Sequence, residues 1–218
     1  MTTVARGKEE RMRRGIQVGL ERIMFFSDGV FAIAITLLVL PLTDAEIGEG
    51  PVGPQLLELL PRMATFLLSF AVIGRYWTVH HRLFARFDRA DARLMTLNLG
   101  YLCGIAFLPF PTSLLGGHGD STAAVVLYAA NLVLIGSFSA AMWAYGAVGG
   151  RLTRPEVTPA EARRTLLDGL APVVSFLPSL AIAPVSPTAA MLSWLLTIPV
   201  SAAADRLGGT GPEPSRAT

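Results

Sequence analysis

Charge is scarce in this sequence, and so is every residue type that usually builds a soluble catalytic site. Only 16% of the 218 residues are Asp, Glu, Lys or Arg, against about 25% in a typical soluble domain. There are three histidines and one cysteine. A lone thiol, Cys103, excludes an internal disulfide and a thiolate metal cluster, and reads as a small packing residue. No Walker loop, glycine-rich dinucleotide loop or nucleophile–base pair occurs, so an enzyme is not expected. No cofactor is expected either. The carbonyl-lined filter motif Thr-Val-Gly-Tyr-Gly is also missing. The adjacent pair His80–His81 suggests a metal or haem site, but neighbouring helical positions point about 100° apart and nothing completes the set. Interfacial hydrogen bonding is the plainer reading, with pH sensing open because imidazole titrates near about pH 6.5.

What the chain has in excess is apolar residues, 52% of the total, with a mean hydropathy of +0.51. A helix needs roughly 20 residues to cross about 30 Å of hydrocarbon. Six stretches qualify as candidate spans: Phe25–Leu42, Met63–Val79, Leu94–Leu115, Ala123–Val148, Leu166–Ala183 and Thr188–Ala204. The expected fold is therefore an all-α integral membrane protein of six transmembrane helices. Residues 1–20 form a basic lead-in, 21–204 the membrane domain, and 205–218 a Gly/Pro-rich tail expected to be disordered. Asp28 within the first run, with no Ala-x-Ala site after it, predicts a retained helix rather than a cleaved signal. Pro109 and Pro111 are expected to end or kink the third helix.

Charge placement gives the orientation. All but two of the 18 basic residues fall before the first span, after the second, after the fourth, or after the sixth. The alternate loops carry Asp44, Glu46, Glu49, Glu58 and Asp120. Cytoplasmic loops retain Lys and Arg, so both termini are expected in the cytoplasm, in the cell's inner (plasma) membrane. The arginines mark orientation and contact with membrane lipids, and no nucleic-acid partner is expected.

Ionisable groups at membrane depth are costly and draw attention. Asp28 lies about 9 Å beyond Arg22 along the first span, and Arg75 about 10 Å from the boundary at Arg82. Trp77, His80, His81 and Asn98 converge on the same layer. At about 100° per residue, Gly29, Ile33, Thr36, Leu37 and Leu40 share one face of the first helix, and Asp28 points about 140° away. That apolar stripe could be ordinary packing, lipid contact or a lining. Asp28 reads as an anchor paired with Arg22, Arg75 or a histidine; an ion ligand or proton carrier is the other possibility.

The segment from Arg22 to Leu40, with its Arg-x-x-x-Phe-Ser-Asp motif at Arg22, Phe26, Ser27 and Asp28, resembles the first-helix signature of the transmembrane protein 175 family of potassium channels. Tyr76-Trp77-Thr-Val-His80-His81 and Leu108-Pro109-Phe110-Pro111 fit the same family. The resemblance implies a homotetramer of six-helix subunits, with four first helices around a central pore for monovalent cations, potassium above all. It places Ile33 at the narrowest ring, Leu37 and Leu40 beyond it, and Thr36 as a hydroxyl layer. Phe26, Ser27 and Asp28 would join Trp77, His80 or His81 and Asn98 behind the pore. A proton- or ion-coupled secondary transporter is the alternative function.

Overall fold

The computed structural model describes residues 3–45 and 48–194, with side chains from Gly19 onward. The described elements are helices: α1 (Thr3–Leu37), α2 (Leu40–Thr43), α3 (Val52–Glu58), α4 (Leu60–Phe84), α5 (Ala92–Phe107), α6 (Pro109–Gly117), α7 (Thr122–Ala147), α8 (Pro159–Ile182) and α9 (Pro187–Ser193). Among the described residues four helical segments are long and apolar enough to span a membrane, and the bent pair α3–α4 makes a fifth. The sixth expected span is represented only by its start, α9; residues 195–204, like the 205–218 tail, lie outside the described residues. The basic lead-in is helical from Thr3 and runs into α1 without a break.

Proline sets most of the boundaries. Pro41 has no N–H for the carbonyl of Leu37, and α1 gives way there to the short α2. Pro61 starts α4 after a 50° bend at Leu59. Pro109 and Pro111 split the third span at Leu108, which keeps α5 and α6 as one interrupted rod. Pro172 and Pro178 sit inside α8 without ending it.

The core is organised around α7, which packs along α5, α6 and α8. Association in lipid relies on close approach and on hydrogen bonds across helices, since lipid tails are as apolar as leucine. Gly104 lets α5 meet Ile135 of α7, where an added Cβ would lie 2.6 Å from Ile135 Cγ1. Gly169 of α8 rests against the backbone of Ala140. Tyr76 Oη donates to the Leu132 carbonyl (2.9 Å), Tyr101 Oη to the Tyr76 carbonyl (2.9 Å), and Asn131 Nδ2 to the Gly104 carbonyl (3.1 Å). A buried trio of hydroxyls, Thr112, Ser69 and Tyr128, ties α6, α4 and α7 together.

At the arginine-rich end the α4–α5 and α7–α8 loops are clipped together. Phe87 and Thr153 form an antiparallel bridge, with Asp88 N–H on the Leu152 carbonyl (2.8 Å) and Arg154 N–H on the Arg86 carbonyl (3.0 Å). Gly149 and Gly150, at φ 64° and 63°, make the left-handed turn that returns the chain. Asp91 caps α5 by accepting from Leu94 N–H (2.8 Å) and also accepts from Tyr145 Oη (2.6 Å). The guanidinium groups of Arg93 and Arg151 lie over the Tyr145 ring. The Tyr145 hydrogen bond holds the Asp91 carboxyl below the ordinary carboxylate range. Its folded-state value is the lower one, so its contribution is present above about pH 4 and fades as pH falls through the folded value.

Gly104→Leu should destabilise the α5–α7 seam, because overpacking typically costs about 1–3 kcal/mol. The thermal unfolding midpoint of the purified protein in detergent should fall by several degrees. A wild-type midpoint would mean that α5 and α7 are not packed as closely as described.

Candidate functional site

α1 is sorted by side. Ser27, Phe31, Ala34 and Leu38, spaced by four, three and four residues, are buried against α4, α5 and α6. The opposite side is uncovered by the rest of the chain: Gly29, Thr36, Leu37 and Leu40 are exposed, and Ile33 keeps 62% of its surface. Phe26 and Arg22 continue this open side toward the arginine-rich end. Leu40, the first residue of α2, lies past the end of α1 but remains on the open side. Phe25, the most exposed aromatic of α1, stands at its edge.

Polar side chains fasten the covered side. His80 Nε2 and Asn98 Oδ1 are 2.8 Å apart, and Asn98 Nδ2 donates to Ser27 Oγ (3.1 Å). Ser27 Oγ donates in turn to the Ile23 carbonyl (2.8 Å). Because the Asn98 amide gives its N–H to Ser27, its oxygen faces His80, which fixes His80 as the Nε2–H donor. One directional chain therefore runs α4→α5→α1. All three side chains are buried. The imidazole is enclosed by Tyr101 (ring centroids 5.3 Å apart), Phe84 (4.5 Å) and Phe31 (5.7 Å). A second tie, Trp77 Nε1–H to Asp28 Oδ1 at 2.8 Å, lies beside it at the protein surface.

This geometry corrects the expected pairing of Asp28 with Arg22, Arg75 or a histidine. Arg22 is six residues away, about 120° around the helix, and Arg75 lies about 160° from Trp77 on α4. His80 is already occupied by Asn98, leaving the indole N–H as the donor within reach. His81 stays outside the chain of hydrogen bonds, exposed, with its ring 5.8 Å from Trp77. Arg22 and Phe26 also stay outside it and instead line a groove of about 720 Å³ between α1 and the start of α5. No group of three or more His, Cys, Asp or Glu side chains that could hold a metal occurs among the described residues.

Tyr101 escaped the reading of the sequence, and Tyr76 entered it only as part of a family motif with no role of its own, although both buttress the site. The signal was present: Tyr76–His80 and Asn98–Tyr101, at spacings of four and three, each share a helix face.

A multi-pass helical membrane protein, with a polar brace behind an open apolar face of its first helix, is the class these features define. A profile of the family described as endosomal/lysosomal potassium channel TMEM175 matches residues 22–109. A potassium channel of Streptomyces collinus is 37% identical over 149 residues, covering 66% of this chain and 72% of that protein. The human endosomal/lysosomal proton channel TMEM175 is 29% identical over 152 residues, 69% of this chain and 30% of its own length. The crystal structure of a lysosomal potassium-selective channel TMEM175 homolog from Chamaesiphon minutus superposes with a TM-score of 0.71 at 28% identity, over 86% of this chain and 99% of that one. The chain belongs to the TMEM175 family, a family of ion channels.

Asn98→Leu should destabilise the protein by about 1–3 kcal/mol, the usual cost of leaving a buried donor such as His80 Nε2–H unpaired. Chemical unfolding in detergent measures this, with the exposed Thr96→Ala on the same helix as reference. Equal midpoints for the two variants would remove Asn98 from its bracing role.

Proposed function

We propose that four copies of this six-helix chain form a potassium-permeable channel in the cell's inner membrane, both termini cytoplasmic, with α1 of each copy lining the pore. The observation that carries this reading is the two-sidedness of α1. Its polar and large buried groups face its own bundle, and an unbroken apolar face carrying Ile33 and Leu37 is left for a shared axis. In a membrane an apolar face can meet lipid or copies of the same helix, and the channel names of the relatives favour the second. The potassium and proton channel names of the relatives agree with ion conduction and differ over the ion.

The mechanism follows from dewetting. An ion crosses a narrow apolar ring only with its hydration, and water leaves such a ring. Ile33 is the narrowest point, Leu37 and Leu40 extend the apolar stretch, and Thr36 supplies hydroxyls between them. Thr36 Oγ1 donates to the Ile33 carbonyl (2.8 Å), which leaves its oxygen lone pairs open to a passing cation. Arg22, Phe26, Ser27, Asp28, Trp77, His80, His81 and Asn98 set the position of α1 rather than touch the permeant ion. Potassium needs no cofactor to pass. The lipids around the ring complete the environment. A coupled transporter would place its carboxylate in the path, whereas Asp28 is turned from the open face and held by Trp77.

In potassium-loaded proteoliposomes diluted into sodium, the wild-type protein should release potassium with no added substrate, and Ile33→Asn should raise the efflux rate several-fold by wetting the ring. A proton-sensitive dye in the same assay tells whether protons pass as well. Efflux that Ile33→Asn leaves unchanged removes Ile33 as the constriction, and no efflux from either protein removes the channel reading.

A further inference from the structure

The edges of the open α1 face differ from one another. Taking Ile33 as zero and about 100° per residue, Phe25 lies roughly 80° to one side and Glu21 roughly 120° to the same side. Phe26, Gly19 and Ile23 lie about 20°, 40° and 80° on the other side and Arg22 about 20° on the near side, and with Met95 and Leu99 they line the groove, centred near about 30°. Phe25 is 74% exposed, and at the groove Leu99 is 53% and Phe26 56% exposed. One edge is thus a projecting ring beside a carboxylate; the other is an apolar recess beside a guanidinium. Both occupy the same turns of the same helix.

We propose that Phe25 of one copy inserts into the α1–α5 groove of the next, with its Glu21 paired to that copy's Arg22. This rests on the channel reading and names the contact that would build it. Knob and recess belong to different surfaces, so the contact is head-to-tail and must close into a ring or run on as a filament. The two edges stand at the same level of α1, which leaves no rise per copy and favours closure. They are separated by about 110° on average, and a head-to-tail contact with its two halves apart on one helix closes into a ring of three or more copies. The line bisecting the edges falls at roughly −25°, within the face of Gly29, Ile33, Thr36, Leu37 and Leu40, so the same contact turns that face to the axis. Asp91 also borders the groove, but its carboxylate is held by Leu94 N–H and Tyr145 Oη, leaving Arg22 as the charge available to Glu21.

The test is cross-linking between chains in a Cys103→Ser background. Phe25→Cys combined with Leu99→Cys in one chain, treated in mild detergent with a short bismaleimide, should give a ladder of dimer, trimer and a terminal ring band. Either substitution alone should stay at monomer size. Mixing the two single variants during expression should give a dimer band and nothing longer. Charge supplies the second arm: Glu21→Arg should reduce the assembled fraction in light scattering, and adding Arg22→Glu should restore it. An absent ladder from protein that still assembles and still passes potassium overturns this contact and leaves the channel reading intact, with a lipid chain as the groove's occupant. Monomers that pass no ions overturn both.

Discussion

Inside hydrocarbon a polar group has no water to fall back on, and each donor or acceptor must find a partner in the protein. The buried chain from His80 through Asn98 and Ser27 to the Ile23 carbonyl meets that requirement with groups from α4, α5 and α1, each used once and in one direction. It does more than satisfy its members. A leucine stripe alone would let α1 rotate or slide on its neighbours, because one apolar contact in lipid is much like another. Directional bonds fix its rotation, and the rotation decides which residues remain uncovered. The open face of α1 is therefore a consequence of the brace behind it.

Much of this could be read from the residues. The first five expected spans were legible because hydropathy reports the membrane directly, and the layer of Asp28, Trp77, His80 and Asn98 followed from counting depth along antiparallel helices. Partner choice was harder. Depth alone made Arg22 and Arg75 candidates for Asp28, and only the azimuth of each side chain excludes them. The bend at Leu59 and the break at Pro41 show how proline marks where a helix is interrupted without giving the angle. The clip between the α4–α5 and α7–α8 loops was invisible, since its bonds join backbones more than 60 residues apart and carry no pattern. The part the two tyrosines play around His80 was missed because aromatics are common in apolar spans, and their stacking depends on how α4 and α5 cross.

The bundle behind α1 is held more heavily than α1 itself. α7 binds α4 and α5 through tyrosine and asparagine bonds to backbone carbonyls, and close glycine contacts remove slack between them. At the arginine-rich end the clip joins two loops into one unit. The firm part of the molecule is thus the frame of α4–α8, on which α1 is mounted by the Ser27 and Asp28 ties and a line of apolar contacts.

The position of those two ties along α1 has a mechanical meaning. They act as a fulcrum near one end of the spanning segment, with Ile33 about 7.5 Å and Leu40 about 18 Å along the helix at 1.5 Å per residue. A tilt of about 10° about that pivot would carry Ile33 sideways by about 1.3 Å and Leu40 by about 3 Å on the same geometry. Displacement grows linearly along the lever while the hydrogen bonds at its pivot hardly stretch. A small change of angle would thus be amplified toward the end remote from the arginines, and the residue nearest the pivot would respond most stiffly.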